Sequence, residues 1–218
     1  MPRIIDVLLS LLALLVLLPL FIPIVIILLL TGEHKVFYLQ TRVGYKNKDF
    51  KIIKFATMLS NSANMGSGSL TLKNDPRVLP FGTFLRKTKI NELPQILNII
   101  IGDLSIVGPR PQMQVDFEKY SDEVQKKIYN VRPGLTGIGS IIFRDEESLI
   151  SLAAENENPH DFYKRVIAPY KGELEIWYHS HRSAFLDFQL IFMTAWAIVA
   201  PETRLYEKWF KDLPKRKF

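Results

Sequence analysis

An apolar run at the start of the chain sets the first structural constraint. Residues 7–30 are almost wholly apolar, whereas the residues after them mix apolar, polar and basic side chains. As one helix, the stretch from Ile4 to Leu30 would extend roughly 40 Å, enough to cross the hydrocarbon core of a bilayer. The run is followed by Thr31-Gly32-Glu33 and not by a small-residue cleavage site. The pattern therefore predicts a retained membrane anchor over residues 1–33 rather than a removable signal peptide.

Two prolines near the middle of this run change the expected topology. Pro19 and Pro23 each remove a backbone donor and crowd the preceding helical turn, so we predict a sharp break between two short legs. Arg3 precedes the run and Lys35 follows it. Because positive residues stay on the cytoplasmic side, a re-entrant helix-break-helix hairpin with both ends in the cytoplasm fits best. A single proline-kinked spanning helix is the alternative.

The remaining residues, 34–218, show the patterns of a mainly helical α+β domain. Two segments rich in β-branched and aromatic residues, 36–43 and 50–55, flank a turn and predict a small β-hairpin. Apolar residues at helical spacing predict helices elsewhere. These predicted helices cover residues 80–87, 92–101, 112–129, 146–157 and 160–168. We expect this domain to lie in the cytoplasm, associated with the membrane.

A second apolar stretch, residues 184–200, differs from the first. Asp187 and Gln189 interrupt it, which argues against a spanning role. One face carries an aromatic stripe at helical spacing, made of Phe185, Phe188, Phe192 and Trp196. The stripe fits either core packing or an amphipathic helix lying in the membrane interface, where aromatic rings are favoured.

Charge and composition narrow the class of ligand. The chain has a net charge of +6 and a pI near 9.4. A basic domain beside a lipophilic segment indicates anionic lipid headgroups or phosphorylated ligands. Nucleic acid is the competing partner, but no familiar nucleic-acid-binding motif is present in the sequence, and we expect none to bind. Cysteine is absent, which excludes disulfides, thiolate metal sites and a cysteine nucleophile.

Several motifs follow one another along almost the whole chain in a specific order. They are Gln40-Thr41-Arg42-Val43-Gly44, Lys54-Phe55-Ala56-Thr57-Met58, Asp75-Pro76-Arg77-Val78, Asn91-Glu92-Leu93-Pro94-Gln95, Gly108-Pro109-Arg110-Pro111 and Arg132-Pro133-Gly134-Leu135-Thr136-Gly137. In this order the sequence resembles the bacterial sugar transferase family, the small monotopic polyprenyl-phosphate phosphoglycosyl transferases. The re-entrant membrane helix of that family agrees with the argument from the prolines.

The resemblance implies a reaction at the cytoplasmic face of the bacterial inner membrane. A carboxylate attacks the β-phosphate of a UDP-sugar and releases UMP, and polyprenyl (undecaprenyl) phosphate then accepts the sugar phosphate. Such chemistry uses Mg²⁺ on the diphosphate and arginines on the phosphate oxygens. The product enters glycoconjugate biosynthesis. Carried onto this sequence, the resemblance makes Glu92 a catalytic and Mg²⁺-binding residue. It makes phosphate-handling residues of Lys54, Arg86, Arg110 and Arg144.

Three departures from the family pattern bear on activity. Asn91 stands where the family has the aspartate of its catalytic pair, Ala56 stands where an arginine is usual, and Ile138-Gly139-Ser140 replaces an aromatic residue and a glutamine. An amide is not a carboxylate nucleophile. Either Glu92 takes that role or supports direct attack by the lipid phosphate, or Asp103 substitutes.

A catalytically silent, membrane-anchored binding relative is the alternative to an active enzyme. We favour an active transferase because the phosphate-handling residues are retained. Simpler roles are also open for several of the candidates. Glu92 can be favoured at a helix start by the helix dipole alone, and Lys54 can be a solvated charge at a strand edge. Asp103 can cap the turn after a helix stop, and Arg144 can pair with its acidic neighbours Asp145 and Glu146.

Overall fold

The computed structural model describes residues 1–200, 203–216 and 218. It is mostly helical and contains one antiparallel hairpin, as predicted. The hairpin pairs β1 (Phe37–Val43) with β2 (Asp49–Phe55), from Phe37 opposite Phe55 to Val43 opposite Asp49. A left-handed turn at Lys46 and Asn47 reverses the chain between the strands.

The apolar run folds as one helix, α1 (Arg3–Leu30), with both prolines inside it. The predicted break into two helices is therefore wrong. Pro19 and Pro23 each withdraw only their own N–H, and the apolar residues on either side continue the helical pattern through them. Most side chains of α1 are exposed, and within the described residues it is the helix long and apolar enough to cross a membrane. Its path relative to a bilayer remains a prediction.

The first turn of α1 is fixed to the domain by two charged side chains, Arg3 and Asp6. The guanidinium of Arg3 donates to the backbone carbonyls of Ile100, at 3.0 Å, and Leu104, at 3.3 Å. Asp6 is only 2% exposed and accepts a hydrogen bond of 2.8 Å from the hydroxyl of Ser105. Because a buried carboxylate is costly unless hydrogen-bonded, these contacts specify where the helix begins against the domain.

The last turns of α1 pack against the same domain through apolar contacts. Ile24 and Leu28 are buried in a small core with Phe55 and Leu85. Phe21 meets Phe55 edge to face, with ring centroids 5.4 Å apart. Both ends of α1 are thus attached to one body, with the exposed apolar side chains between them.

Two helices follow the hairpin and lead into the candidate site. They are α2 (Pro80–Lys87) and α3 (Gln95–Ile101), separated by a single 3₁₀ turn, Ile90–Glu92. Asn98 joins α3 to β2, since its Oδ1 accepts from the N–H of Ile53 at 2.9 Å and its Nδ2 donates to the carbonyl of Lys51 at 2.8 Å. One buried amide thus satisfies two backbone groups at the edge of the hairpin.

A short parallel pair of strands, which the sequence did not predict, crosses the middle of the domain. It joins β3 (Ser105–Val107) to β4 (Gly134–Thr136). The backbones approach so closely that a Cβ on Gly134 would lie 2.1 Å from the nitrogen of Gly108. This contact explains why both glycines lack side chains. It also places the segment after β3 beside the turn before β4.

The other helices complete the domain. They are α4 (Gln114–Phe117), α5 (Asp122–Lys127), α6 (Ile138–Ile142), α7 (Glu146–Ala153), α8 (Pro159–Phe162), α9 (Ala168–His181), α10 (Ala184–Val199) and α11 (Leu205–Trp209). The predicted helix over residues 112–129 is wrong, because α4 and α5 are separate. Ser121 starts α5 as its N-cap, accepting from the N–H of Val124, and so interrupts the longer pattern.

The second apolar stretch forms α10 and presents different residues on its two faces. Leu186, Leu190 and Met193 are buried in the main core. The aromatic stripe is exposed, with Phe185 73% and Trp196 39% accessible. The core-packing interpretation of the stripe is therefore wrong, and contact with the membrane interface remains the prediction for it.

The Asp75-Pro76-Arg77 motif has a structural role. Arg77 is buried and makes two charge-assisted bonds to Asp75, of 2.8 and 2.6 Å. It also donates to the backbone carbonyls of Ser62, Met65, Gly68 and Leu70. A planar guanidinium with several donors can hold a whole loop in this way. The motif therefore orders the loop that follows β2.

Candidate functional site

Glu92 enters the interior from the short turn between α2 and α3. Lys89 adopts a left-handed conformation, with φ of 61°, and redirects the chain into the 3₁₀ turn that ends at Glu92. Pro94 follows as the N-cap residue of α3. The Glu92 side chain is only 14% exposed. Local backbone geometry thus places a carboxylate inside the domain, where it requires a partner.

Arg110 and Lys54 supply the opposite charge. Arg110 is bidentate on Glu92, with Nη2 2.7 Å from Oε1 and Nη1 3.3 Å from Oε2. Lys54 lies at the end of β2, with Nζ 3.9 Å from the same Oε1. Three residues predicted from sequence therefore meet in one cluster. A fork-on-fork contact of this kind fixes orientation as well as charge.

Burial and mutual attraction shift the pKa values of these groups in different directions. Burial alone would raise the pKa of Glu92, but the charges of Arg110 and Lys54 outweigh it and hold that pKa well below its usual range. The attraction of Glu92 raises the pKa of Arg110. Burial lowers the pKa of Lys54 to about 7, although Glu92 opposes the shift. Lys54 therefore gains or loses its charge near neutral pH.

The backbone around Arg110 is held rigidly. Pro109 and Pro111 flank it and restrict its conformation. The Pro109 carbonyl accepts from the N–H of Gly134 at 2.9 Å, and the Arg110 carbonyl accepts from the hydroxyl of Tyr129 at 2.9 Å. The segment that follows β3 is thus held in place beside β4, and it positions the Arg110 side chain next to Glu92.

Arg42 is a further cation at this site that we did not predict as a site residue. Its guanidinium donates to Oε1 of Gln40 at 2.6 Å and to the carbonyl of Pro111 at 3.2 Å. Burial, with Arg110 nearby, lowers the pKa of Arg42. Arg42 lies at the end of β1, within the motif Gln40–Gly44. Membership of that motif was the signal in the sequence that could have identified it as a site residue.

Arg86 lies at the edge of the cluster. It extends from α2 and forms an ion pair with Glu147 at the start of α7. Its Nη1 is 3.7 Å from the sulfur of Met58. Its charge is close enough to contribute to the lowered pKa of Lys54. Arg86 therefore joins the site electrostatically while bridging two helices.

Two predicted site residues do not join the cluster. Asp103 lies at the opposite end of α3 from Glu92, where its carboxylate accepts from Asn98 at 3.3 Å. The structure therefore does not bring Asp103 to Glu92. Asp103 instead contacts Asn98 at the C-terminal end of α3. Arg144 donates to the carbonyl of Ala197 in α10 and lines a cavity with Trp196.

Comparison with known proteins decides the family. The model of the bacterial sugar transferases matches residues 1–201. The chain belongs to this family. An exopolysaccharide production protein of Sinorhizobium fredii is 38% identical over 163 residues, covering 68% of this chain and 72% of that protein.

Two longer relatives carry more specific names. A UDP-N-acetylgalactosamine-undecaprenyl-phosphate N-acetylgalactosaminephosphotransferase of Aeromonas hydrophila is 31% identical, over 87% of this chain and 41% of that protein. An undecaprenyl-phosphate galactose phosphotransferase of Salmonella typhimurium is 32% identical, over 72% of this chain and 32% of that protein. The chain spans less than half of either protein.

Asn91 occupies an unusual position in this transferase. It is 5% exposed, and its Oδ1 has no hydrogen-bond partner among the described residues. Nε2 of Gln95, one helical turn later, is likewise buried and unpaired within the described part of the chain. Buried polar atoms without partners are rare in native proteins. The transferase thus keeps unused hydrogen-bonding capacity beside Glu92.

The cluster offers few metal ligands of its own. Within residues 1–200, 203–216 and 218, no three histidine or acidic side chains are grouped as a metal site. Glu92 supplies one carboxylate and Asn91 one free amide oxygen. Mg²⁺ is commonly held by one or two such ligands together with substrate phosphates. These residues therefore fit a Mg²⁺ that arrives with a diphosphate, and Mg²⁺ binding remains a prediction.

The pKa of Lys54 leads to a prediction about ligand binding. At about pH 8, above the pKa of Lys54, a bound diphosphate should favour the ammonium form, so the transferase should take up protons as UDP binds. Affinity should accordingly fall as the pH rises. Calorimetry in buffers with different ionisation enthalpies measures the uptake. Lys54→Arg should abolish it, whereas Lys51→Arg, at an exposed position of the same strand, should not. Equal uptake in wild type and Lys54→Arg would contradict the assignment.

Proposed function

We propose that this protein transfers a sugar-1-phosphate from a UDP-sugar to polyprenyl (undecaprenyl) phosphate and releases UMP. The reaction would serve as the first membrane step of bacterial glycoconjugate synthesis. The observation that carries the proposal is the buried cluster of Glu92, Arg110 and Lys54 in a domain fixed to both ends of an apolar helix. The names of the Aeromonas and Salmonella relatives support undecaprenyl phosphate as acceptor, and the first of them supports a UDP-sugar donor.

The charges of the site suit a diphosphate ligand. Arg42, Lys54 and Arg110 lie around one acidic residue, Glu92, while Arg86 at the edge of the cluster is paired with Glu147. The cluster therefore carries excess positive charge. A diphosphate that enters here would displace Glu92 from the guanidinium of Arg110, because a phosphate group can accept the same bidentate hydrogen bonds. The carboxylate released by this exchange would then be free to bind Mg²⁺ or to act on the phosphate.

We favour direct attack by the lipid phosphate over a covalent route. Asn91 does not supply a carboxylate, and Asp103 lies at the far end of α3. The lowered pKa of Glu92 makes it a weak base, which suits a role as a metal ligand better than a role in proton transfer. Asn91 would orient Glu92, or would donate a hydrogen bond from Nδ2 to a phosphate oxygen.

Residues 1–33 would form a membrane anchor that both enters and leaves on the cytoplasmic face. Support comes from the attachment of both ends of α1 to one domain, through Asp6 at the start and Leu28 near the end. The exposed aromatic stripe of α10 would lie in the headgroup region. Residues 34–218 would then work at the cytoplasmic face of the inner membrane, where a soluble donor and a lipid acceptor can meet.

A catalytically silent binding subunit is the second candidate function. It is favoured by Asn91 at the position of the nucleophile and by Ala56 where an arginine is usual. Such a protein would retain UDP-sugar binding without turnover, so an activity assay separates the two functions.

The activity itself is tested by UMP release. With polyprenyl phosphate and Mg²⁺, we expect wild type to release UMP from at least one member of a panel of UDP-sugars. Excess chelator should stop the release. Glu92→Gln should reduce turnover at least about a hundredfold, because it removes the charged ligand of the site. Glu118→Gln, at an exposed position, is the control. No release from any donor would favour the silent binding subunit.

Asn91 gives a separate test of the route. We expect wild-type UMP release to require polyprenyl phosphate. Asn91→Asp is nearly isosteric and restores a carboxylate nucleophile, so it should release UMP without the lipid and trap labelled sugar phosphate on the protein. Mass spectrometry locates the label. A label on Glu92 of the wild-type protein would show that the covalent route operates despite Asn91.

The membrane topology is tested by labelling, since the chain contains no cysteine. Pro2→Cys and Lys35→Cys should both react with an impermeant reagent from the cytoplasmic side of oriented vesicles, because both ends of α1 are attached to the same domain. Leu18→Cys, at an exposed position of α1, should be shielded by lipid and serves as control. Reaction of the two flanking cysteines from opposite sides would establish a spanning helix.

A further inference from the structure

An apolar cavity beside the end of α1 has no part in the site described above. Its volume is about 240 Å³. The end of α1, the segment after β2 and the start of α2 form its walls. The lining includes Leu28, Gly32, Ala56, Met58, Leu79 and Phe81. An engineered apolar cavity of roughly 150 Å³ binds benzene, so this cavity has room for a short segment of hydrocarbon chain.

The walls of the cavity are held by backbone contacts. The N–H of Leu79 donates to the carbonyl of Thr57 at 2.9 Å, and the N–H of Ala56 donates to the carbonyl of Val36 at 2.9 Å. Gly82 lies so close to Thr57 that a Cβ at residue 82 would overlap the Thr57 carbonyl group. The start of α2 is therefore fixed against the segment after β2, so the shape of the cavity is set by the fold.

The lining offers a ligand little net charge. Two charged residues, Glu33 and Lys35, also line the cavity. Both bind Ser60, whose N–H donates to Oε2 of Glu33 at 2.8 Å and whose hydroxyl accepts from Nζ of Lys35 at 2.6 Å. Because these opposite charges are paired through one serine, the cavity favours an apolar ligand over an ionic one.

The cavity adjoins apolar side chains at the surface of the domain. Leu28, in the lining, is followed in the last turn of α1 by Leu30, which is 73% exposed. Phe81, also in the lining, stacks on Phe84 with ring centroids 5.9 Å apart, and Phe84 is 53% exposed. Exposed apolar side chains thus continue from the cavity to a surface that suits contact with lipid.

The cavity also adjoins the cations of the candidate site. Met58 lines the cavity, and its sulfur is 3.7 Å from Nη1 of Arg86, at the edge of the charged cluster. Ala56 follows Lys54 by two residues along the same segment. The cavity therefore lies beside cations suited to a phosphate and beside a surface suited to lipid, as a lipid with a phosphate head requires.

We propose that this cavity binds the first isoprene units of the polyprenyl phosphate acceptor, and that Ala56 keeps the cavity open. This inference rests on the proposed function, which makes polyprenyl phosphate the acceptor. The acceptor has a single chain joined directly to its phosphate, whereas a phospholipid carries a pair of chains joined through glycerol. A cavity with room for one short segment fits the single chain. The arginine usual at residue 56 would take up part of this space, so the departure exchanges a cation for apolar contact with the acceptor.

Alkylation of a cysteine placed in the cavity tests its occupant, since the chain contains no other cysteine. In phosphatidylcholine nanodiscs, farnesyl phosphate should protect Leu79→Cys from N-ethylmaleimide, whereas inorganic phosphate should not. Dodecyl phosphate, of equal main-chain length, should need about fourfold higher concentration for half-protection, because it lacks the methyl branches that the cavity would bury. Thr83→Cys, at an exposed position of α2, is the control and should react equally with and without farnesyl phosphate.

Filling the cavity gives an independent test. Ala56→Leu, combined with Leu79→Cys, should raise the farnesyl phosphate concentration for half-protection about tenfold, the effect of losing about two buried methylene groups. The affinity for UDP and the melting temperature should not fall, because the added side chain occupies existing space. Ala63→Leu, at an exposed position outside the lining, is the matched control. Should Ala56→Leu not fold, the alkylation of Leu79→Cys decides.

The outcomes separate this inference from the proposed function. No protection by farnesyl phosphate, equal protection by dodecyl phosphate, protection by inorganic phosphate alone, or an unchanged half-protection concentration in folded Ala56→Leu would overturn the inference. If wild type releases no UMP from any donor but farnesyl phosphate protects as expected, the proposed transfer reaction fails and the lipid site stands. UMP release without protection would leave the proposed function intact and remove this site.

Discussion

The arrangement of the site depends on a buried bidentate ion pair between Glu92 and Arg110. Removing a carboxylate from water is costly, and the attraction of a well-oriented guanidinium offsets that cost only if both groups are held in place. Here the two side chains come from short, constrained segments. Lys89 adopts a left-handed backbone conformation that directs Glu92 into the domain. The prolines on either side of Arg110 and the hydroxyl of Tyr129 hold the backbone of Arg110 in place. The geometry is therefore built before any ligand binds, which is the condition for electrostatic catalysis.

The apolar helix α1 is connected to this pair through the same elements. Asp6 and Arg3 attach the start of α1 to the segment that contains the end of α3 and the start of β3. Glu92 precedes α3, and Arg110 follows β3. The two elements that hold the start of α1 are thus continuous with the segments that carry the ion pair, so the position of the site is tied to the position of α1.

Structure that depends on residues close together in the sequence was predicted correctly. Contacts between residues far apart in the sequence were not predicted. The hairpin and α2 follow from strand and helix signals within a few residues. Glu92, Lys54 and Arg110 were identified by resemblance to a family, and the structure then brought them together. The continuity of α1 was missed because proline weakens a helix without always ending it. The β3–β4 pair was missed because three-residue strands carry almost no periodicity.

The central claim is that Glu92 neutralises Arg110 until a diphosphate replaces it. UDP binding in excess chelator tests this most directly, because without Mg²⁺ Glu92 acts only as a competitor for Arg110. Glu92→Gln should then bind UDP about tenfold more tightly than wild type, since a charge-assisted contact no longer has to be broken. Glu123→Gln, which removes an exposed acid, should bind as wild type does. Equal or weaker binding by Glu92→Gln would contradict the account.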